Sequence, residues 1–161
     1  VLAQGISNHT GWSIGLSTFV ISIFVLLMWI PLKQKPGMGT ILNAFIIALT
    51  IEFSVYYLPY PETYPMQILQ VVVGVLIIGI GSGFYLIANL GAGPRDGLMI
   101  GLQKKTNLPI YSIRTIIEVS VVIVGWLMGG VVGLGTAIFA FGIGPSVALG
   151  LSMVGKTSKT I

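Results

Sequence analysis

The chain has 161 residues, of which 55% are hydrophobic and 7% charged, and its mean hydropathy is +0.99. A soluble domain carries about a quarter charged residues, so this composition excludes an ordinary water-soluble protein and points to an integral membrane protein. Cysteine is absent and His9 is the only histidine, which excludes disulfides, thiol chemistry and a Cys- or His-built metal centre; the basic residues behind the net charge of +4 are scattered at the ends of apolar runs, which excludes a nucleic-acid partner.

The apolar runs approach or exceed the roughly 20 residues that a helix needs to cross about 30 Å of hydrocarbon, and none alternates like a lipid-facing barrel strand. The expected fold class is therefore all-α, a polytopic helical membrane bundle with five spans in this chain. The sequence begins at Val1 without the basic, apolar and small-residue pattern of a signal peptide, and a cut or processed start is expected. The first span covers residues 12–31, with Trp12 and Trp29 near its ends, as expected of indoles settling at the two interfaces. The second covers 40–58 and leads into the rigid, interfacial stretch "YYLPYPETYP". The third, over 66–90, is long enough to tilt. Residues 91–107, "GAGPRDGLMIGLQKKTN", read as a glycine-rich break; the fourth and fifth spans follow at 111–128 and 136–154.

Lys33 and Lys35 fall between spans one and two, Arg95, Lys104 and Lys105 between three and four, and Lys156 and Lys159 after five. Strict alternation gathers all seven on one side, which the excess of lysine makes cytoplasmic. The expected location is the inner (cytoplasmic) membrane, with the lysine-rich loops and the C-terminus inside and the lipid bilayer as first partner.

"GMGTILNAFII" at 37–47 returns as "GLGTAIFAFGI" at 133–143, where Gly37, Gly39, Thr40, Ala44, Phe45 and Ile47 recur 96 positions later. At the same offset Leu2, Gly5, Thr10, Ile14, Ile21 and Val25 meet Leu98, Gly101, Thr106, Ile110, Ile117 and Val121. An odd number of spans separates corresponding points, so the copies run through the membrane in opposite directions, and the charges agree: "GISNHTG" has no lysine where "GLQKKTN" has two. The predicted organisation is a single membrane domain built as a 3+3 inverted-topology repeat. Residues 1–58 form a first copy whose N-terminal span is missing, and 66–161 form the second.

"GAGPRDGL", "TNLPIYSIRTIIE" and "GGVVGLGTAIFAFGIGP" together resemble the YczE-like bacterial membrane proteins, relatives of the YitT group, and the similarity extends over the whole chain. The resemblance implies a multi-span inner-membrane protein with no enzyme activity and no cofactor.

Two groups of residues are candidates for function. Gly91, Gly93 and Pro94 suit a helix break, Arg95 and Asp96 follow it, and Asp96 can complement a helix start; the alternative is a capped interfacial helix with Arg95 on lipid headgroups. Arg114 and Glu118 stand one helical turn apart inside a span, where a charge is costly and mutual pairing, or pairing with Asp96, is expected; they either line a polar pathway or form a structural ion pair. Thr40 and Thr136 follow Gly-x-Gly at two helix starts and read first as N-terminal caps, second as cavity-facing groups. Pro145 is expected to kink or break the last span. Glu52 reaches the outer interface, and Gly79 with Gly83 makes a helix-packing pair. "GAGPRDG" lacks the spacing of a dinucleotide loop, and "GGVVGLGT" lacks the lysine of a phosphate loop. The leading expectation is a small transporter or channel-like permease for an unidentified solute or ion, with a polar site between the repeats. The alternative is a non-catalytic accessory or assembly subunit of a larger membrane complex. A homodimer or other membrane subunits are the expected protein partners.

Overall fold

A computed structural model describes residues 1–87 and 90–157. They form seven helices: α1 (Leu2–Thr10), α2 (Ile14–Met28), α3 (Met38–Tyr57), α4 (Tyr64–Ile87), α5 (Pro94–Thr106), α6 (Ile110–Leu127) and α7 (Leu134–Thr157). Among the described residues no strand is present. Lys159, one of the residues used to orient the chain, lies outside them, as does the side chain of Lys156.

The five expected spans correspond in order to α2, α3, α4, α6 and α7. Among the described residues, three helical stretches are long and apolar enough to cross a membrane, Met38–Tyr57, Tyr64–Tyr85 and Leu134–Met153. There are up to four if α1 and α2, which meet at 114°, make one broken span. The run at 12–31 becomes a helix of 15 residues, about 22 Å at 1.5 Å per residue and so short of the hydrocarbon thickness. Its N-terminus is set by Ser13, whose Oγ accepts from the Leu16 amide at 3.2 Å, and its C-terminal part tightens into turns from Trp29 to Lys33.

Two helices were not expected at full length. Residues 91–107 are not a loop between spans: α5 occupies 13 of them, started by Gly93 and Pro94 and ended by Asn107 in the left-handed region at φ 57°. α1 ends in the same way at Gly11, φ 72°. Both are short and polar enough to be missed by hydropathy, and both pack on other helices.

The chain forms two compact units, Val1–Leu58 with Leu90–Val132, and Pro59–Asn89 with Gly133–Ile161. The second is the α4·α7 pair. Its crossing depends on missing side chains: a Cβ at Gly79 would lie 2.1 Å from the Ser146 Cβ, one at Gly83 2.6 Å from the Gly150 carbonyl carbon, and one at Gly150 2.7 Å from the Ile80 oxygen. Small residues thus let two backbones touch, the means by which helices associate where the solvent is as apolar as the side chains. α7 runs through Pro145 without interruption, so Pro145 is no helix break; a proline in a membrane helix is accommodated where neighbouring groups satisfy the backbone.

The first unit packs α1, α2, α3, α5 and α6, and its contacts exchange between the two sequence copies. Gly5 of α1 sits against Met128 at the end of α6, and Gly101 of α5 against Leu32 beyond the end of α2; 5 and 101, like 32 and 128, are 96 apart. Likewise Gly97 lies under the Trp29 ring, while Gly125 lies against Val1, with 29 and 125, and 1 and 97, again 96 apart. Reciprocal contacts of this kind are what a two-fold relation produces.

The α4·α7 crossing can be tested with alanine. Gly79→Ala places a methyl group inside Ser146 and should lower stability by about 1–3 kcal/mol, whereas Gly74→Ala, on the same helix with nothing within 4 Å of its Cβ, should be neutral or gain up to about 1 kcal/mol from helix propensity. Thermal unfolding of the two variants in detergent separates these outcomes.

Candidate functional site

The site is built where residues 90–97 lie across the start of α3 and the end of α2. Gly91 has φ +113°, which favours glycine, and the segment approaches so closely that a Cβ at Gly37 would be 2.4 Å from the Leu90 oxygen. The irregular backbone is satisfied from outside. The Gly39 amide donates to the Leu90 carbonyl at 2.9 Å, Thr40 Oγ1 donates to the Ala92 carbonyl at 2.7 Å, and Trp29 Nε1 donates to the Pro94 carbonyl at 2.9 Å. Thr40 Oγ1 also accepts from the Gly37 amide at 3.2 Å. The threonine therefore caps α3 and clamps the segment before α5 at once, and it is fully buried.

Trp29 is not an interfacial anchor. It is 3% exposed, its ring covering Gly97, where a Cβ would fall 2.0 Å from Cζ2. Nothing in its position near the end of an apolar run separated this role from that of Trp12, which is 44% exposed.

So held, α5 directs Arg95 to α6. Glu118 Oε1 accepts from Arg95 Nη2 in a short, charge-assisted hydrogen bond and from Arg114 Nε at 3.2 Å. The side chains of Arg95, Arg114 and Glu118 are 42%, 33% and 21% exposed, so the carboxylate is the most enclosed member of the trio. One oxygen thus joins two helices and faces two guanidinium groups, leaving the trio with a net positive charge. Asp96 stands in the first turn of α5, where a carboxylate complements the helix dipole. Arg95 takes its place beside Glu118 because it sits one residue before Asp96 on a helix whose start is fixed by Thr40 and Trp29.

The other candidates are placed separately. Thr136 belongs to the second compact unit, where its Oγ1 accepts from the Gly133 amide at 3.4 Å, the same cap that Thr40 gives Gly37. Pro145 lies within α7. Glu52 of α3 turns back to α2, accepting from the Gly15 amide at 3.1 Å; a carboxylate at a helix N-terminus is favourable, and this role was not visible in its distance from α2 along the chain. Among the described residues no group of three or more His, Cys, Asp or Glu side chains could hold a metal ion.

Residues 1–151 match the sequence pattern of a family of unknown function, DUF6198. The chain is 43% identical over 156 residues to an uncharacterized protein of Haemophilus influenzae, covering 97% of this chain and 72% of that one. It is 35% identical over 129 residues to the "uncharacterized membrane protein YczE" of Bacillus subtilis, covering 80% and 58%, and 23% identical over 139 residues to the uncharacterized protein YyaS of the same organism, covering 84% and 69%. The chain thus spans between 58% and 72% of the lengths of these three relatives. No solved structure matches it.

The clamp gives a direct comparison between the two threonines. Thr40→Val leaves the Ala92 carbonyl and the Gly37 amide without their partner in a buried place and should cost about 1–3 kcal/mol. Thr136→Val, which removes one long bond at a more exposed position, should cost less than about 1 kcal/mol. Midpoints of unfolding in detergent would show the difference.

Proposed function

The chain belongs to the DUF6198 family, whose function is unknown, and from that premise we propose that it is the greater part of a small inner-membrane secondary transporter, with Arg95, Arg114 and Glu118 as its polar site. The observation that carries the reading is the sharing of one Glu118 oxygen by arginines from two helices. Charges within an apolar helix are expensive and are kept where they serve a pathway or pair with one another. Ionised, Glu118 neutralises part of the charge of both guanidiniums. Protonated, it no longer binds them as a carboxylate, and Arg95 and Arg114 are free to hold an anionic group of a substrate beside the start of α5. Proton uptake and anion binding are then coupled by charge balance at one oxygen.

Support for the wider architecture comes from the repeat. The short helices α1 and α5 occupy matching positions, and discontinuous helices at matching points of inverted repeats are common seats of transporter sites. Local geometry recurs at the same offset: Thr10 and Thr106 each donate to the carbonyl four residues before, at 2.8 Å. In the proposed arrangement the parent protein has three plus three spans in opposite directions, and the lysine-bearing loops face the cytoplasm. Asp96, Thr40 and the Gly91–Gly93–Pro94 break serve as the support of the site rather than its reacting groups. No catalytic chemistry and no cofactor enter this reading.

Purified protein in proteoliposomes loaded with a pH-sensitive dye would test it. A panel of small inorganic and organic anions is added outside, and internal acidification is followed. The expected result is acidification that depends on one class of anion and falls at least about tenfold in Glu118→Gln, in line with the loss of a proton-transfer group. If no anion gives a response, the transporter reading fails and the accessory-subunit alternative takes its place.

A further inference from the structure

A second charged feature lies apart from the Glu118 trio. The turn after α2 and the last turn of α5 enclose an open cleft of about 270 Å³ lined by Pro31, Leu32, Lys33, Gly101, Lys104 and Lys105. Three of its six lining residues are lysines and none is acidic. Lys104 and Lys105 have an ordinary structural use, since cations at a helix C-terminus complement its dipole. Lys33 does not. It adopts φ +52°, a conformation that side-chain-bearing residues avoid, and its counterpart 96 positions on is Gly129, at φ +77°. The first copy therefore keeps a strained lysine where the second has glycine, and the strained residue brings a third positive charge to two others.

The corresponding place in the second copy is built differently. The counterpart of Lys104 is Asn8, and Asn8 Nδ2 donates to the Gly129 carbonyl at 2.8 Å. There an amide closes onto the turn from within the protein; here three lysines line the cleft and no carboxylate does. Like charges gathered at one cleft repel one another, and an anion bound there removes the repulsion.

We propose that this cleft binds a phosphate group, supplied by the headgroup of an anionic phospholipid. The apolar rim of Pro31 and Leu32 beside the three lysines suits a headgroup with the beginning of its acyl chains, and basic clefts between helices on the lysine-rich side of membrane proteins recognise such lipids. The site is separate from the transport reading and stands whether or not that reading does.

Native mass spectrometry of the purified protein in detergent, titrated with phosphatidylglycerol or with phosphatidylcholine at fixed ionic strength, tests the proposal. Phosphatidylglycerol should bind at least about fivefold more tightly, and Lys33→Gln, Lys104→Gln and Lys105→Gln should each lower its affinity by about fivefold, the size expected for one lysine at an anionic surface. Lys35→Gln, which removes the same charge but does not line the cleft, should leave affinity within twofold of the native protein. Lys33→Gly adds a second check: relief of the positive φ should hold or raise the unfolding midpoint while phosphatidylglycerol binding falls. Inorganic phosphate separates the sources. If millimolar phosphate displaces phosphatidylglycerol, the cleft is a site for the free ion and the lipid assignment is overturned. Equal losses in Lys35→Gln and the cleft variants would show attraction to net charge alone and would overturn the site itself.

Discussion

Irregular backbone inside an apolar protein must have its carbonyls taken by donors from elsewhere, and residues 90–94 meet that constraint with three donors from two helices. The Gly39 amide takes the oxygen of Leu90, Thr40 Oγ1 that of Ala92, and Trp29 Nε1 that of Pro94. The donors fall on alternate residues of the segment, so its path is fixed over its whole length. Once α5 begins at that point and in that direction, Arg95 is delivered to Glu118. The ion pair is in this sense a consequence of three neutral hydrogen bonds, and the glycines at 37, 39 and 91 are needed because those bonds require backbone to lie against backbone.

Some local devices occur twice at the 96-residue offset, with different results. Helix starts at Gly37 and Gly133 carry the same threonine cap, and left-handed residues end α1 and α5. Equivalent positions have diverged where the copies meet different surroundings. Thr18 and Ser22 donate to the carbonyls of Ile14 and Thr18 within α2, whereas their counterparts Arg114 and Glu118 pair with each other, and Glu118 also accepts from Arg95. The charged trio consequently has no counterpart at the 96-residue offset.

How far the architecture could be read from residues depends on the kind of signal. The apolar runs starting at 40, 66 and 136 became α3, α4 and α7 because a long apolar stretch can satisfy its backbone in hydrocarbon as a helix. The run at 12–31 was overextended, since composition alone did not separate helix α2 from the apolar turn after it, where Trp29 and Leu32 face α5 rather than lipid. α5 was legible only by its start at Pro94 to Asp96, and α1 not at all, because their residues are mixed in polarity and their stability comes from packing on the ends of α2 and α6. The Arg114–Glu118 pair was legible through its four-residue spacing.

Sequence by itself determined the membrane class, the identities at the 96-residue offset and the threonine caps, because hydropathy, identity and capping are properties of residues and their near neighbours. Tertiary structure alone decided that Arg95 joins Glu118, that Trp29 lies over Gly97, that Glu52 caps α2 and that three lysines surround one cleft. These partners are 23, 68 and 37 residues apart in the pairs 95–118, 29–97 and 15–52. Which of many polar groups meet over such separations is set by the turn at Gly91 and by the close approach of glycine surfaces, and neither leaves a periodic mark in the chain.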